Sequence, residues 1–451
     1  MGCNIVSLVR YKGVESVGEA LALCGWPAGG SPPESVLVKP NLVGWDNQGP
    51  YPPWGVLTTS VVLEGLCAAL RDHGVKRISI GEASIKCAQI GSGTREIFEY
   101  LHYERLVERF GVGLVDFNEG DFDEIEIDAG HRLKVTRTVR EFEALISVPV
   151  LKTHGGTKVS LGMKNLKGLL HARSKSYCHH PENLLDHFIS LLAERFRPSL
   201  TLIDGIYANE QGPLHMGFAH RRDLLVASCD VYSADLLGAY LLGYGTDEVA
   251  HLAEYARNHK RSTSVASLEV RGGVDPEEAR LPLKWDWPWL ADDSGPDTFA
   301  KLGIRGLRLP KYDHTLCTGC SYMFNPLMVL LMSTSQKEFD AYEILSGKLH
   351  EPSGEAKKTF LLGKCQIERN KADPRCGQVI PIKGCPPSMD DIESALKENG
   401  ISVNRKGYEQ YRNYIMGRYW KKPDVYPLEH FYLGEVPDSQ RAPGAQSGSR
   451  G

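Results

Sequence analysis

The sequence predicts an α/β fold, a mostly parallel sheet with flanking helices, followed by a small cysteine-rich C-terminal domain. Two observations carry this. Short runs rich in Val, Ile and Leu recur with helical stretches between them, and four cysteines gather late in the chain. Apolar strands alternating with helices suggest a parallel sheet covered on both faces. At 451 residues the chain is too long for one typical core.

The predicted strands are 35–38, 77–80, 113–117, 144–150, 200–203 and 223–228. Leu184, Leu185, Phe188, Leu191, Leu192 and Phe196 recur at helical spacing, so a helix is expected just before 200. Lys39-Pro40-Asn41 follows the first strand, Glu82 the second, and Asp116 ends the third. Lys152-Thr153-His154 follows the fourth, Asp204 the fifth, and Cys229-Asp230 the sixth. Ligands bind at the carboxyl ends of parallel strands, so all six ends are expected on one rim. An α/β domain over 1–270, a linker over 271–300 and a cysteine-rich domain over 301–400 are expected. A C-terminal extension over 401–436 and a disordered tail over 437–451 complete the chain. Trp285, Trp287 and Trp289 are expected to pack the linker onto a domain.

Residues 144–171 concentrate the polar chemistry. Lys152, Lys158, Lys164 and Lys167 follow a buried strand, with Asn165 and glycines 155, 156, 162 and 168 among them. Ammonium groups, amides and glycines that admit close backbone approach suit an anionic ligand, carboxylate or phosphate. Flanking apolar residues argue against a solvated basic loop. No P-loop, HExxH or GxSxG pattern is present, and Gly91–Glu96 fails the dinucleotide fingerprint. His171, His179 and His180 near Cys178 fit a loop surface or a substrate contact better than a second metal.

The late cysteines are Cys317 and Cys320 in C-T-G-C, Cys365 in G-K-C, Cys376 in P-R-C-G and Cys385 in G-C-P-P. One close pair with isolated cysteines suits a [4Fe–4S] cluster better than zinc, which usually takes two close pairs. The residues alone leave Cys365 and Cys376 open as the fourth ligand. After Cys385, Ser388 is a candidate N-cap with Asp391 three residues on, and Gly400 stops the helix. The other cysteines, Cys3, Cys24, Cys67, Cys87, Cys178 and Cys229, mostly lie beside apolar residues and are read as buried and inert.

Two resemblances add to this. K-G-C-P-P-S-M-D-D resembles the cluster-bearing segment of hydrogenase small subunits and the related respiratory-complex subunit. The stretches V-L-V-K-P-N-L (36–42), I-G-E-A-S (80–84), S-V-P-V-L-K-T-H (147–154), S-L-G-M-K-N-L-K-G-L-L (160–170) and L-T-L-I-D-G-I (200–206) resemble the domain of unknown function 362 family. Some members carry CxxC, then GNC, then GCPP. That order implies Cys317, Cys320, Cys365 and Cys385 as ligands, with Lys364 in place of Asn. The resemblance implies iron–sulfur binding and leaves the reaction open.

The expectation is an oxidoreductase passing electrons from a [4Fe–4S] cluster to a small anion at the strand ends. Lys39, Asn41, Lys158, Lys164, Asn165 and Lys167 would hold the anion. Lys152, Asp204, Glu82 and His154 would carry the chemistry. An external electron donor such as a ferredoxin fits this reading. The alternatives are a non-redox transferase, isomerase or anion-binding protein with a structural cluster or zinc, or an electron carrier. A net charge of −4 argues against charge-driven nucleic-acid binding. No apolar run approaches the ~20 residues of a membrane helix, and the N-terminus lacks a signal layout, so a cytoplasmic location is expected.

Overall fold

A computed structural model describes residues 4–45, 49–86, 93–182 and 184–443. Cys3, Cys87 and tail residues 444–451 lie outside the described residues. The chain forms two compact units. The first holds residues 1–174, 186–286 and 416–451, and the second holds 175–185 and 287–415.

The first unit is a mixed α/β structure. Its large sheet contains β1 (Ile5–Arg10), β2 (Ser35–Pro40), β3 (Arg77–Glu82), β4 (Gly113–Asp116), β7 (Ala144–Val148), β8 (Val150–His154), β9 (Lys158–Ser160), β10 (Leu200–Glu210), β11 (Phe218–Ser228) and β12 (Glu269–Arg271). A separate hairpin joins β5 (Phe122–Asp128) to β6 (His131–Thr136). The strand order is β12-β1-β11-β10-β7-β2-β3-β4, with β8 on β10 and β9 on β8. Most pairings are parallel, and the central strands read as apolar runs because both faces are covered. Helix Leu185–Phe196 falls where the periodicity places it.

The sixth expected strand corrects the single-rim picture. β11 runs antiparallel to β10. The connection 211–217 is far shorter than the dozen or more residues a parallel crossover needs. Asp230 therefore lies at the opposite sheet end from Lys39 and Glu82. There it accepts from Ser233 N (2.8 Å), capping helix Val231–Leu241, and pairs with Arg261 (3.0 Å). β1 and β12, absent from the sequence reading, extend the sheet beyond β11.

The second unit carries a parallel sheet, β13 (Arg305–Arg308), β14 (Glu338–Leu345), β15 (Lys358–Leu362) and β16 (Gln378–Ile382), in sequential order. Helices Thr318–Ser333, Gly363–Asn370 and Met389–Glu398 belong to it. Ser388 and Asp391 form the expected capping box. The change from one unit to the other falls within 271–300. Residues up to 286 belong to the first unit and those from 287 to the second. Gln440 is buried and accepts from Tyr51 N at 2.8 Å, so order extends past 437.

Candidate functional site: a buried lysine group and a cysteine module

Parallel pairing of β2 and β3 sets Lys39 and Glu82 at neighbouring strand ends. Lys39 Nζ donates to Glu82 Oε2 (2.7 Å), Asn165 Oδ1 (2.9 Å) and Pro40 O (2.7 Å). Both side chains of the pair are almost fully buried, 1% and 3% exposed. Glu82 also accepts from Leu42 N (3.0 Å) and Ala83 N (2.8 Å). Donors around a buried carboxylate favour its ionised form. Burial pulls the Lys39 pKa down, and Glu82 opposes it.

Lys152 approaches from β8. It donates to Asn41 Oδ1 (2.5 Å), Val56 O (2.8 Å) and Pro213 O (3.4 Å). None of these acceptors is charged. Burial, then repulsion from Lys39, lowers its pKa from 10.5 to about 7, with Glu82 opposing. Asn165 bridges the two lysine networks: its Oδ1 accepts from Lys39 and from Asn41 Nδ2 (3.3 Å). Its amide donates to Lys39 O (3.0 Å) and Ser147 Oγ (3.1 Å), fixing its orientation.

Lys164 differs from both. Its side chain is half-buried and has no hydrogen-bond or ion-pair partner among the described residues. Burial drives its pKa well below the usual value. The charges of Lys167 and Lys152 add to this, and Asp186 opposes it. Lys167 is buried in the same segment.

The segment carrying Lys164, Asn165 and Lys167 is held from behind by Asp235. The Asp235 carboxylate accepts from Gly162 N (2.7 Å) and Met163 N (2.8 Å). Burial raises its pKa to about 7. The sequence reading missed this residue. Its signal is a lone acid in the apolar run V-Y-S-A-D-L-L-G, since a fully buried carboxyl is costly without partners. Thr58 was missed as well. It accepts from Asn41 N (2.7 Å) and donates to Val148 O (2.8 Å), fixing the backbone at Asn41. Gly168 lies against the Lys39–Glu82 pair. A Cβ there would fall 2.2 Å from Lys39 Cε and 2.4 Å from Glu82 Oε1.

The remaining expected residues fall elsewhere. Asp204 is buried, with a pKa raised to about 6 by burial, and accepts from Thr59 N (2.7 Å) and Ile206 N (3.1 Å). The Thr59 bond anchors the start of helix Ser60–Asp72. His154 Nδ1 accepts from Gly156 N (2.9 Å) at the β8–β9 turn. Lys158 lies 3.9 Å from Glu248 and 6.0 Å from the Trp285 ring centroid. Of the separate histidines, His171 packs edge-on to Phe122, His179 Nδ1 meets His314 O (2.9 Å), and His180 packs against Tyr177.

In the second unit, Cys317 caps helix Thr318–Ser333 and Cys320 lies in its first turn. Cys365 lies in the first turn of helix Gly363–Asn370. Cys385 precedes helix Met389–Glu398. Lys364 N donates to Gly384 O (2.9 Å), tying two of these segments. Gly363, at φ 83°, lies against a third: a Cβ there would be 3.4 Å from Cys320 Sγ. The Cys320 pKa is raised by the hydrogen bond its thiol donates to Cys317, by burial, and by the charges of Cys317, Cys385 and Cys365. Cys376 instead meets Asn370 O at 3.4 Å, and its charged neighbours are Asp373, Glu343 and Arg375. Four sulfurs within electrostatic reach, beside helix N-termini, are a donor set that suits a thiolate-ligated cluster. As they stand, no three His, Cys, Asp or Glu side chains among the described residues are arranged to hold a metal ion.

Residues 36–240 match the model of a family described as a domain of unknown function, DUF362. That span includes every residue of the lysine group and Asp235, and ends before the cysteine module. A thylakoid-associated protein of Synechocystis is 28% identical over 244 residues, covering 51% of this chain and 72% of that protein. A lactate racemase apoprotein from Thermoanaerobacterium thermosaccharolyticum aligns with a TM-score of 0.35 and 15% identity. That alignment covers 54% of this chain and 58% of the racemase, under two thirds of its length. Among the described residues no helix is long and apolar enough to cross a membrane.

Proposed function

We propose that the protein is an iron–sulfur oxidoreductase whose lysine group binds a small anionic substrate. The carrying observation is that two lysines beside the Lys39–Glu82 pair have no bonded counter-charge among the described residues. Lys39 has Glu82 as its counter-charge, whereas Lys152 bonds neutral oxygens and Lys164 has no partner among the described residues. Without a counter-charge, burial lowers the pKa of both lysines. An anion at Lys164 supplies the missing charge.

Lys164 then binds the anion, and Asn41 and Asn165 orient the two lysine networks around it. Lys152, with its pKa near 7, donates or accepts a proton at Nζ as charge changes on the substrate. Glu82 keeps Lys39 charged. Cys317, Cys320, Cys365 and Cys385 would hold the cluster, which supplies single electrons when bound. An external reductant such as a ferredoxin recharges the protein. Cys365 as the fourth ligand is supported by the neighbours of Cys376, which are Asn370 and Asp373 instead.

The test is calorimetric titration with phosphate and small carboxylates. Lys164→Met weakens binding at least tenfold, a loss of about 1.4 kcal/mol, while Lys158→Met leaves it unchanged. Equal affinity in wild type and Lys164→Met removes the lysine group as the anion site.

A second reading keeps the anion site and removes the redox step. The lysine group lies within the first unit, where Lys39 and Lys152 bond oxygen atoms. Such a site can serve a transferase, isomerase or anion carrier braced by a structural cluster or zinc.

A further inference from the structure

A cavity of about 310 Å³ opens in the first unit, between the β5–β6 hairpin, the start of β7 and the last turn of helix Leu185–Phe196. Its volume is at the lower end of the range for small-molecule pockets. Ala144 and Leu145, which begin β7, line it. Lys39 pairs with Ser147 farther along that strand, and β2 and β7 are parallel. The cavity therefore lies at the opposite sheet end from the lysine group. Ile125, Val135, Leu145 and Phe196 supply apolar walls.

Asp123, Arg140, Glu143, Arg195 and Arg197 supply the charge. Asp123 is held by Arg137 (3.2 Å) and Arg140 (3.1 Å), and Glu143 accepts from Glu34 N (2.8 Å). Arg195 and Arg197 have no acidic partner among the described residues. Of their guanidinium groups only Arg197 Nε donates, to Glu194 O at 2.9 Å. In the lining, three arginines thus face two acids and a helix C-terminus worth about half a negative charge. Arg197 also closes the helix, donating from its backbone N to Ala193 O (3.2 Å). Its φ of 36° is in the left-handed region that favours glycine at such an end. Strain of this kind clusters at ligand sites. Thr136 lines the cavity as well. It is buried, it does not cap the turn Arg137–Glu141 that follows, and its hydroxyl has no partner among the described residues. An unpaired buried hydroxyl is unfavourable and is the kind of group a ligand or water satisfies.

We propose that this cavity binds a small carboxylate with an apolar body, its charge held by Arg195 and Arg197 and its body against Ile125, Val135, Leu145 and Phe196. Planar guanidiniums recognise carboxylates through paired hydrogen bonds. The charge balance of the lining is positive but small, which suits one carboxylate better than a phosphate monoester carrying nearly two charges. The apolar walls favour a ligand in proportion to the apolar area it covers, so a bare inorganic anion gains nothing from them. The site shares no residue with the lysine group, and it stands whether or not that group binds an anion.

The test is calorimetric titration of the full-length protein with 2-naphthoate, carried out in Lys164→Met so that the lysine group does not contribute. Binding to one site is expected. Adding Arg195→Gln and Arg197→Gln should weaken it by about tenfold or more. Both arginines are exposed, so their replacement leaves the fold intact, and an unchanged urea midpoint checks this. Acetate, which lacks the apolar body, and 2-naphthamide, which lacks the charge, should each bind more weakly by a similar factor. Absence of 2-naphthoate binding in Lys164→Met overturns the proposal. So does equal affinity with and without the two arginines, or 2-naphthamide binding as tightly as 2-naphthoate.

Discussion

At the scale of single residues, charge balance decides what the lysines can do. Lys39 and Glu82 neutralise one another, and removing one partner of such a buried pair costs about 3–5 kcal/mol. Lys152 has no such partner and titrates near pH 7. A bound anion favours its protonated form and raises its pKa. Binding therefore takes up a proton between pH 7 and the higher value in the complex. Anion affinity is expected to be flat below pH 7 and to fall up to about tenfold per unit above it. Calorimetry across pH checks this, and Lys152→Met should abolish the slope. The sign for stability is separate. The folded value is depressed from 10.5, so without a ligand Lys152 penalises the fold fully below about pH 7. That penalty fades as pH rises toward the unfolded value.

At the scale of elements, parallel pairing and one short turn build the site. β2 and β3 deliver Lys39 and Glu82, and the turn over 162–169 lays Asn165 across them. Gly168 is the closest approach of that turn. Gly168→Ala should destabilise the protein by about 1–3 kcal/mol through overpacking against Lys39. Urea unfolding reads this as a lower midpoint with an unchanged slope. Lys39, Glu82, Asn41, Lys152, Asn165 and Lys164 were legible because polar residues ending apolar strands are conspicuous. The reversal of β11 was not, since an apolar run reads alike in either direction. Asp235 and Thr58 escaped because their roles are bonds to distant backbone, which no local pattern records. Lys158 was grouped with the others by sequence proximity, and its positive φ of 59° at the start of β9 places it with Glu248 and Trp285 instead.

At the scale of the molecule, the lysine group lies in one unit and the late cysteines in the other. Protein purified without oxygen is expected to contain about four iron atoms per chain for a four-iron cluster. Cys365→Ser should lose that iron, and Cys376→Ser should keep it. Metal analysis of both variants decides the fourth ligand, and the opposite result exchanges their roles. The cluster and the lysine group are joined in one function only if electrons reach the anion. The most direct measurement is therefore to reduce the iron-loaded protein anaerobically, mix it with a panel of small phosphates and carboxylates, and follow the visible absorbance. Reoxidation by at least one anion in wild type is expected, with its loss in Lys152→Met at unchanged iron content. Stoichiometric zinc in place of iron, or reoxidation equally fast in wild type and Lys152→Met, would contradict the electron-transfer reading.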